Sequence, residues 1–410
     1  MLSLKMKRLA VYISPVFLLF FCQCRHENKT PVSEVRVDVA RLFRDLGEPL
    51  VQRRAALADS VFSAMHQNGF NGVVLYAEQG RVVYEKAFGW RELRRPTDSL
   101  RIDDAFQLSS DSKMFTAEAI MLLCAQGKLD YDDDVRKYIP ELPYGGITIR
   151  LLLNHRSGLP RYDSMADEFW PDRTKPFSNE AMISMLAEKQ PALYAAPDVT
   201  FFYNNINYAL LASVVERVSG QHFEDFMHDN IFEPLGMDHS FIYSMRDDTL
   251  VSLYMDCNVH GHYMYRTGAQ KAQNEYLNGV MGDKIMFSTV DDIFRFNDAL
   301  DHCLLLPDSL QREAFVPGSV HWKHDENYGF GWRMNHKHPG AVYHFGWWKG
   351  YRSAILRDVE RHRLLVVLSN TTRNIPSEIL WNFVGDTVFQ LPEVSYLLDD
   401  KFESDTVDVE

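Results

Sequence analysis

Stretches with strand-like composition stand at both ends of the chain and enclose a long segment with helical patterns. Residues 72–77 and 81–88 are rich in β-branched and aromatic side chains, and Glu78-Gln79-Gly80 separates them as a hairpin turn would. The same composition returns at 328–332, 341–345, 351–357 and 364–369. This arrangement predicts an α/β (α+β) fold, with one antiparallel sheet from N- and C-terminal segments, flanked by helices, and an inserted, mostly helical subdomain.

Helical patterns occupy the middle of the chain. Residues 116–126 give a helical pattern that ends at Gly127, and 207–218 give another that ends at Gly220, where glycine suits a positive φ. Another helix is predicted near 375–389, whereas the aromatic stretch at 160–180 has a loop-like composition. We therefore expect a catalytic domain at 51–392 that contains a helical subdomain at about 130–290.

The first 24 residues have the pattern of an export signal. Lys5, Lys7 and Arg8 precede an apolar run at 9–21, which is too short to span a bilayer comfortably. Cys22 and Cys24 follow the run and resemble the lipid-attachment site of bacterial lipoproteins, although neither follows a small residue. We expect a membrane-anchored lipoprotein, and a plainly cleaved signal or an uncleaved anchor remain alternatives. A tether at 25–50 would precede the domain, and an acidic tail at 393–410 would follow it.

The charge balance excludes one class of function. The 410 residues carry 43 Lys plus Arg and 56 Asp plus Glu, so the formal net charge is -13. Nucleic-acid binding depends on neutralising phosphates and is not expected here. Beyond the signal only Cys124, Cys257 and Cys303 remain, without zinc-site or disulfide-framework spacing, so we expect buried thiols and neither a metal nor another cofactor.

Ser110 and Lys113 form a candidate nucleophile pair just before the predicted helix at 116–126. Their i, i+3 spacing puts both side chains on one helical face. A serine hydroxyl needs a neighbouring base to become a strong nucleophile, and a lysine at that spacing can help to remove its proton. An isolated Ser-x-x-Lys match is more often a pair of solvated side chains, so the surrounding sequence has to distinguish a catalytic pair from that alternative.

That surrounding sequence, FQLSSDSKMFTA at 106–117, resembles the nucleophile segment of the serine β-lactamase and penicillin-binding-protein superfamily. LLLNHRSGLP at 151–160, FEPLGM at 232–237 and STVDD at 288–292 resemble further segments of its class C, D-aminopeptidase and esterase branch, in the order of that branch. The resemblance covers about residues 60 to 390. It implies the β-lactamase/transpeptidase-like fold and a serine hydrolase with Ser110 as the nucleophile.

The second catalytic element of this branch is Tyr-x-Asn, and two segments match it, Tyr203-Asn204-Asn205 and Tyr276-Leu277-Asn278. The first follows an extended run and leads into a helix, as the family segment does, so we select Tyr203 and Asn205. By resemblance, Tyr203 is the general base and acid beside Lys113, and Asn205 positions the substrate and the lysine.

The third element, Lys-Thr-Gly in β-lactamases, is often His-x-Gly in this branch. His344-Phe345-Gly346 lies inside a predicted strand, whereas His338-Pro339-Gly340 contains a proline that could not donate to a strand ladder. By resemblance, His344 and Gly346 line the substrate cleft, and the amides of Trp347 and Ser110 form the oxyanion hole. A histidine at this position supplies no permanent charge for a β-lactam carboxylate, which disfavours antibiotic hydrolysis.

The sequence therefore predicts an exported serine hydrolase that forms an acyl-enzyme with an ester or amide, without a cofactor. Its partner would be a small-molecule or peptidoglycan-type peptide substrate, at the periplasmic or cell-surface side of a membrane. A peptidoglycan D,D-carboxypeptidase or β-lactamase is the alternative within this class. A catalytically silent cell-envelope binding protein is the alternative from another class.

Overall fold

The computed structural model describes residues 48–245, 259–321 and 326–384. The predicted export signal with Cys22 and Cys24, nearly all of the tether, Cys257 and the acidic tail lie outside the described residues. Cys124 and Cys303, which lie inside them, are free thiols and only half-buried, so the expectation of full burial was wrong for both. Within the described part, no helix is both long and apolar enough to cross a bilayer.

Seven strands form one antiparallel sheet in the order β2-β1-β12-β11-β10-β9-β8. Two smaller sheets, β3-β7-β4 and β5-β6, lie in the segment between its two halves. The strands are β1 Gly72–Glu78, β2 Arg81–Phe88, β3 Phe106–Gln107, β4 Phe241–Ile242, β5 His262–Tyr265, β6 Gly268–Lys271, β7 Met286–Ser288, β8 Glu326–Tyr328, β9 Arg333–Asn335, β10 Ala341–Trp348, β11 Tyr351–Asp358 and β12 Arg363–Ser369. The predicted sheet from both chain ends is confirmed.

The junction between the two ends is the β1–β12 pair. It runs in register from Gly72 opposite Ser369 to Glu78 opposite Arg363. Every residue of β1 is buried, which requires cover on both faces of the sheet and explains why residues 73–77 are all apolar rather than alternating.

Helices supply that cover on both faces. On one face α1 and α11 pack against the sheet through a cluster that includes Phe62 and Phe383, and α2 with the helical subdomain covers the other face. The helices are α1 Glu48–Gln67, α2 Ser112–Ala125, α3 Ile149–Leu153, α4 Tyr162–Phe169, α5 Asn179–Lys189, α6 Asn205–Ser219, α7 Phe223–Met227, α8 Glu233–Leu235, α9 Val290–Asp301, α10 Asp308–Gln311 and α11 Ser377–Val384.

The two helices predicted with a terminal glycine are confirmed, and each starts earlier than its apolar pattern. α2 is followed by Gly127 with φ +69°, and α6 by Gly220 with φ +75°. The first turn of α6 is capped by Asn204, whose side chain accepts from the Ile206 amide. The residues that precede each predicted pattern, 112–115 and 205–206, mix polar and apolar side chains, so the periodicity alone did not assign them to the helix.

Two stretches differ from the prediction. The loop-like stretch at 160–180 contains α4, which buries Tyr162 and Met165 while its other side stays exposed. The single strand predicted at 328–332 is two strands, β8 and β9, separated by a turn. Gly331 in that turn has φ +82°, and a Cβ there would lie 2.8 Å from the Met114 Cα, so the turn presses against the start of α2.

Candidate active site

Ser110 lies in a short helical turn that connects β3 to α2. The turn comprises Ser109–Asp111, and Ser109 has φ +52°, a left-handed conformation that few non-glycine residues adopt. Such strain is maintained only where surrounding structure enforces it, and it often marks functional sites. Ser110 is half-buried, and its amide stands at the start of a helical stretch, where backbone N–H groups have no intrahelical acceptor.

Lys113 reaches back from the first turn of α2 to Ser110. Its Nζ donates to Ser110 Oγ at 3.1 Å and to the Asp283 carbonyl oxygen at 2.7 Å, and the side chain is fully buried. The i, i+3 spacing thus brings the predicted pair into direct contact. A lysine held by two neutral oxygens beside a serine hydroxyl is suited to exchange a proton with it.

A second buried lysine stands behind this pair. Lys284 Nζ lies 2.6 Å from the Tyr162 hydroxyl oxygen and 3.1 Å from Asp283 Oδ1, and Tyr162 in turn donates to Asp283 Oδ2 at 2.7 Å. Burial lowers the pKa of Lys284, and the Asp283 carboxylate opposes that shift. Because Asp283 also accepts from Lys113 through its carbonyl, the Asp283–Lys284 pair fixes the lysine beside the nucleophile.

Tyr203 lies against Lys113 at the entrance to α6. The ring centroid is 5.1 Å from Lys113 Nζ, and the buried Tyr203 hydroxyl has no hydrogen-bond partner among the described residues. The Oδ1 atom of Asn205 is buried and unpartnered in the same sense. Buried polar atoms are normally hydrogen-bonded, so two such atoms beside a candidate nucleophile are consistent with a site that receives its partners from a ligand.

The rejected Tyr-x-Asn match does not occupy this position. The Tyr276 hydroxyl donates to Asp167 Oδ1 at 2.7 Å, and Asn278 Oδ1 accepts from Trp348 Nε1 at 2.7 Å. Both polar groups therefore have protein partners, and the geometry favours Tyr203 over Tyr276 as the tyrosine that assists Ser110.

His155, from the segment at 151–160, supports Tyr203 from behind. Its ring centroid lies 4.4 Å from that of Tyr203, and its Nδ1 lies 2.9 Å from Asn207 Nδ2 and 3.2 Å from the Asn204 amide nitrogen. Both of these neighbours donate, so Nδ1 is an acceptor. Burial and the nearby Lys113 lower the pKa of His155, which keeps the ring neutral. The residue acts as a packing platform for the tyrosine.

Gly346 allows strand β10 to contact the Ser110 turn. A Cβ on Gly346 would overlap the Leu108 carbonyl oxygen and Ser353 Oγ, and it would lie 3.1 Å from Ser109 Cβ. The Ser353 hydroxyl also donates to the Leu108 carbonyl oxygen at 2.7 Å. The glycine therefore accommodates protein backbone, whereas the sequence analysis assigned it to the substrate cleft.

The Trp347 amide faces the open edge of the sheet. Lys349 and Gly350, with φ +40° and +89°, form the two-residue type I′ turn between β10 and β11, so Trp348 and Tyr351 are a hydrogen-bonded pair. Trp347 belongs to the next pair, which is not hydrogen-bonded, and its N–H points away from β11. Within the described residues β9 pairs with β10 only at Val342 and Tyr343, so the Trp347 N–H has no strand partner.

His344 differs from its predicted role as a substrate contact. The side chain is fully buried, its Nε2 lies 2.9 Å from the Tyr328 hydroxyl oxygen, and its Nδ1 lies 3.2 Å from Asp111 Oδ1. The reason is the strand's alternation, because the side chain faces the turn Ser109–Asp111, where Asp111 follows the nucleophile. Both ring nitrogens are thus engaged by protein groups, and neither is available to a substrate.

Arg333 was missed by the sequence analysis. Its guanidinium carbon lies 4.5 Å from the centroid of the Tyr203 ring, and Nη1 makes a long contact of 3.4 Å with Glu326 Oε2. The Arg333 side chain is 22 % exposed. The residue stands opposite Tyr343, where the β9–β10 pairing ends and the open edge of β10 begins. A permanent cation is therefore present at the site after all, and it comes from β9.

Comparison with known proteins identifies the family. The model of the beta-lactamase family matches residues 40–385, which is most of the chain. The chain belongs to the beta-lactamase family. It is a serine hydrolase of that family, as its family segments led us to expect, and its fold is the β-lactamase/transpeptidase-like fold.

Two relatives within the superfamily are penicillin-binding proteins. The chain is 34% identical to "Penicillin-binding protein 4*" of Bacillus subtilis over 311 residues, which cover 73% of this chain and 68% of that protein. An octameric penicillin-binding protein homologue from Pyrococcus abyssi superposes with a TM-score of 0.68 and 24% identity, over 80% of this chain and 75% of that chain.

A third relative is an amidase. The D-amino acid amidase from Ochrobactrum anthropi superposes with a TM-score of 0.64 and 22% identity, over 78% of this chain and 91% of that chain. At this level of identity the two solved structures support the shared fold of the family and not a shared substrate.

We expect Gly346→Ala to impair both folding and activity. The added methyl group would push the Ser110 turn away from β10, at a cost on the order of 1–3 kcal/mol in the free energy of unfolding. Chemical denaturation would measure that loss, and reaction with a serine-directed fluorophosphonate would report on the site. Gly145→Ala is the matched control, because the added Cβ would meet only the flexible end of Arg136. Equal stability of both variants would contradict the close approach.

Proposed function

We propose that the chain hydrolyses an amide or ester through an acyl-enzyme on Ser110, outside the cytoplasm. The observation that carries the proposal is the contact of 3.1 Å between Lys113 Nζ and Ser110 Oγ, with the unpartnered Tyr203 hydroxyl beside it. The buried lysine, the tyrosine and the serine supply a nucleophile and two groups that can carry its proton.

The reaction requires two displacements. Ser110 Oγ attacks the carbonyl carbon, its proton passes to the Lys113–Tyr203 pair, and that pair returns a proton to the leaving group as the acyl-enzyme forms. Water then attacks the acyl carbon, gives its proton to the same pair, and releases the acid while Ser110 Oγ recovers a proton. In both steps the amides of Ser110 and Trp347 would donate to the carbonyl oxygen as it gains negative charge.

Replacement of Ser110 tests the nucleophile. Ser110→Ala removes the only atom that could be acylated at this position, so we expect no covalent labelling by a fluorophosphonate or a fluorescent penicillin, and no hydrolysis of p-nitrophenyl esters. Ser109→Ala is the matched control in the same turn and should still be labelled. Equal labelling of the wild type and Ser110→Ala would overturn the assignment. A wild type that no probe acylates but that retains peptidoglycan fragments would favour the silent binding protein.

A second candidate function, cleavage of peptides that end in a free carboxylate, is favoured by Arg333. This guanidinium is partly exposed at the open edge of β10, and its Glu326 partner is 40 % exposed and 3.4 Å away. Lys284, by contrast, is neutralised by Asp283. The resemblance to penicillin-binding proteins agrees with such a substrate, whereas the amidase named above acts on D-amino acid amides, which lack that charge. Arg333 therefore distinguishes a carboxypeptidase from an amidase.

A pair of matched substrates separates the two. We expect the wild type to prefer N-acetyl-D-Ala-D-Ala over its C-terminal carboxamide, and Arg333→Gln to lose about tenfold of that preference, because a charged hydrogen bond is removed. Arg333→Lys should retain part of it. The ratio of kcat/KM values cancels any common effect on Tyr203, and Arg312→Gln, directly after α10, is the surface control. No preference in the wild type would favour the amidase and leave the serine chemistry intact.

Export and lipid anchoring are also part of the proposal. They rest on the basic segment, the apolar run at 9–21 and the two following cysteines. We expect the full-length chain to incorporate radiolabelled palmitate and to fractionate with membranes. One of the variants Cys22→Ala and Cys24→Ala should abolish both signals, and the other serves as its control. Membrane association without label in the wild type would instead indicate an uncleaved anchor.

A further inference from the structure

Directly behind the nucleophile lies a buried chain of hydrogen-bonding groups, Asp111–His344–Tyr328. Asp111 follows Ser110 in the sequence, His344 lies on β10, and Tyr328 ends β8. The distances are 3.2 Å from Asp111 Oδ1 to His344 Nδ1 and 2.9 Å from His344 Nε2 to the Tyr328 hydroxyl oxygen. All three side chains are fully buried, so the chain cannot touch a substrate at the surface of the site.

The network fixes how these groups are protonated. His344 Nδ1 also lies 3.1 Å from the Phe345 carbonyl oxygen, which can only accept, so Nδ1 carries a proton. Burial, Arg333 and Lys113 lower the pKa of His344, so the ring is neutral and its Nε2 accepts from Tyr328. Burial raises the pKa of Asp111 well above its usual range. The contact between Asp111 and His344 is therefore a hydrogen bond that needs no full charge on either residue.

Each member of the chain belongs to a different wall of the site. Asp111 holds the turn that carries Ser110, and His344 belongs to the strand that carries the Trp347 amide. The Tyr328 ring packs edge-on against Tyr203, with centroids 6.0 Å apart. The Asp111–His344–Tyr328 chain thus connects the elements that carry the nucleophile and the oxyanion donor with the ring of Tyr203, on the side away from the substrate.

We propose that the Asp111–His344–Tyr328 chain is a positioning unit that sets the place of Ser110 relative to the Trp347 amide and to Tyr203. The inference rests on the proposed acyl-enzyme chemistry and assigns His344 an indirect role in it. A misplacement of about 1 Å in such an arrangement reduces the rate of the chemical step without removing any contact to the substrate. The loss should therefore fall on the acylation rate constant and not on the dissociation constant of the substrate.

Tyr328→Phe and Asp111→Ala, with the double variant, test the unit on a neutral p-nitrophenyl ester. The burst of p-nitrophenolate in stopped-flow experiments gives the acylation rate constant and the dissociation constant of the substrate. Each single variant should lower the rate constant on the order of ten- to hundredfold and leave the dissociation constant unchanged. The double variant should lose no more acylation rate than the more impaired single variant, because both substitutions act through His344. Asp111→Asn keeps an acceptor for His344 Nδ1 and should recover most of the rate. Melting temperatures would show that all variants are folded.

Tyr84→Phe is the matched control. Tyr84 is buried, and its hydroxyl donates to Asp59 at 3.1 Å in the α1 layer, remote from Ser110 in the fold, so its acylation rate constant should be unchanged. Weaker substrate binding at an unchanged acylation rate constant in Tyr328→Phe would mean that these residues shape a substrate contact and would overturn the proposal. Additive losses in the double variant would overturn it as well. If Ser110→Ala remains active, the proposed function itself fails, whereas an essential Ser110 with full rates in these variants refutes only the positioning unit.

Discussion

The site depends on the close approach of the Ser110 turn to strand β10 at Gly346. The two backbones come near enough that no side chain fits between them, and the contact is reinforced by the hydrogen bond from Ser353 to Leu108, 245 residues away in the sequence. The nucleophile stands on one side of this contact and the Trp347 amide on the other. Their relative position is consequently determined by backbone packing, which is stiffer than any arrangement of long side chains.

The parts of the site that the sequence could predict are those defined by local spacing. Ser110 and Lys113 share a helical face because they are three residues apart, and Tyr203 was selected over Tyr276 by the extended run before it and the helix after it. The strand-like composition at 341–345 also predicted the correct strand, β10. It could not show whether the face that carries His344 meets solvent or the turn Ser109–Asp111, because that depends on what the distant segment at 109–113 packs against.

Arg333 and Lys284 show a different limit. Both follow glycine-containing turns, and both reach the site because those turns contact α2: Gly331 presses on Met114, and Gly282 accepts from Thr116 through its carbonyl oxygen at 2.7 Å. No spacing relates them to Ser110. The net charge of -13 gave no indication of cations at the site, yet the residues around the nucleophile include Lys113, Lys284 and Arg333. An acidic protein can thus hold a partly exposed cation, Arg333, beside its nucleophile, where it can attract an anionic ligand.

The pairing of β1 with β12 has a consequence for the timing of activity. Ser369 donates to the Asn71 carbonyl oxygen, 298 residues away in the sequence. The β1–β12 pair at the centre of the sheet therefore cannot form until Ser369 has been synthesised. Contacts of such sequence separation are closed late and slowly in folding. A growing polypeptide that already contains Ser110, Lys113 and Tyr203 still lacks β10 and its amide donor. The oxyanion donor can therefore join the site only after residue 347 has been synthesised, and the central sheet can close only after β12 has followed it.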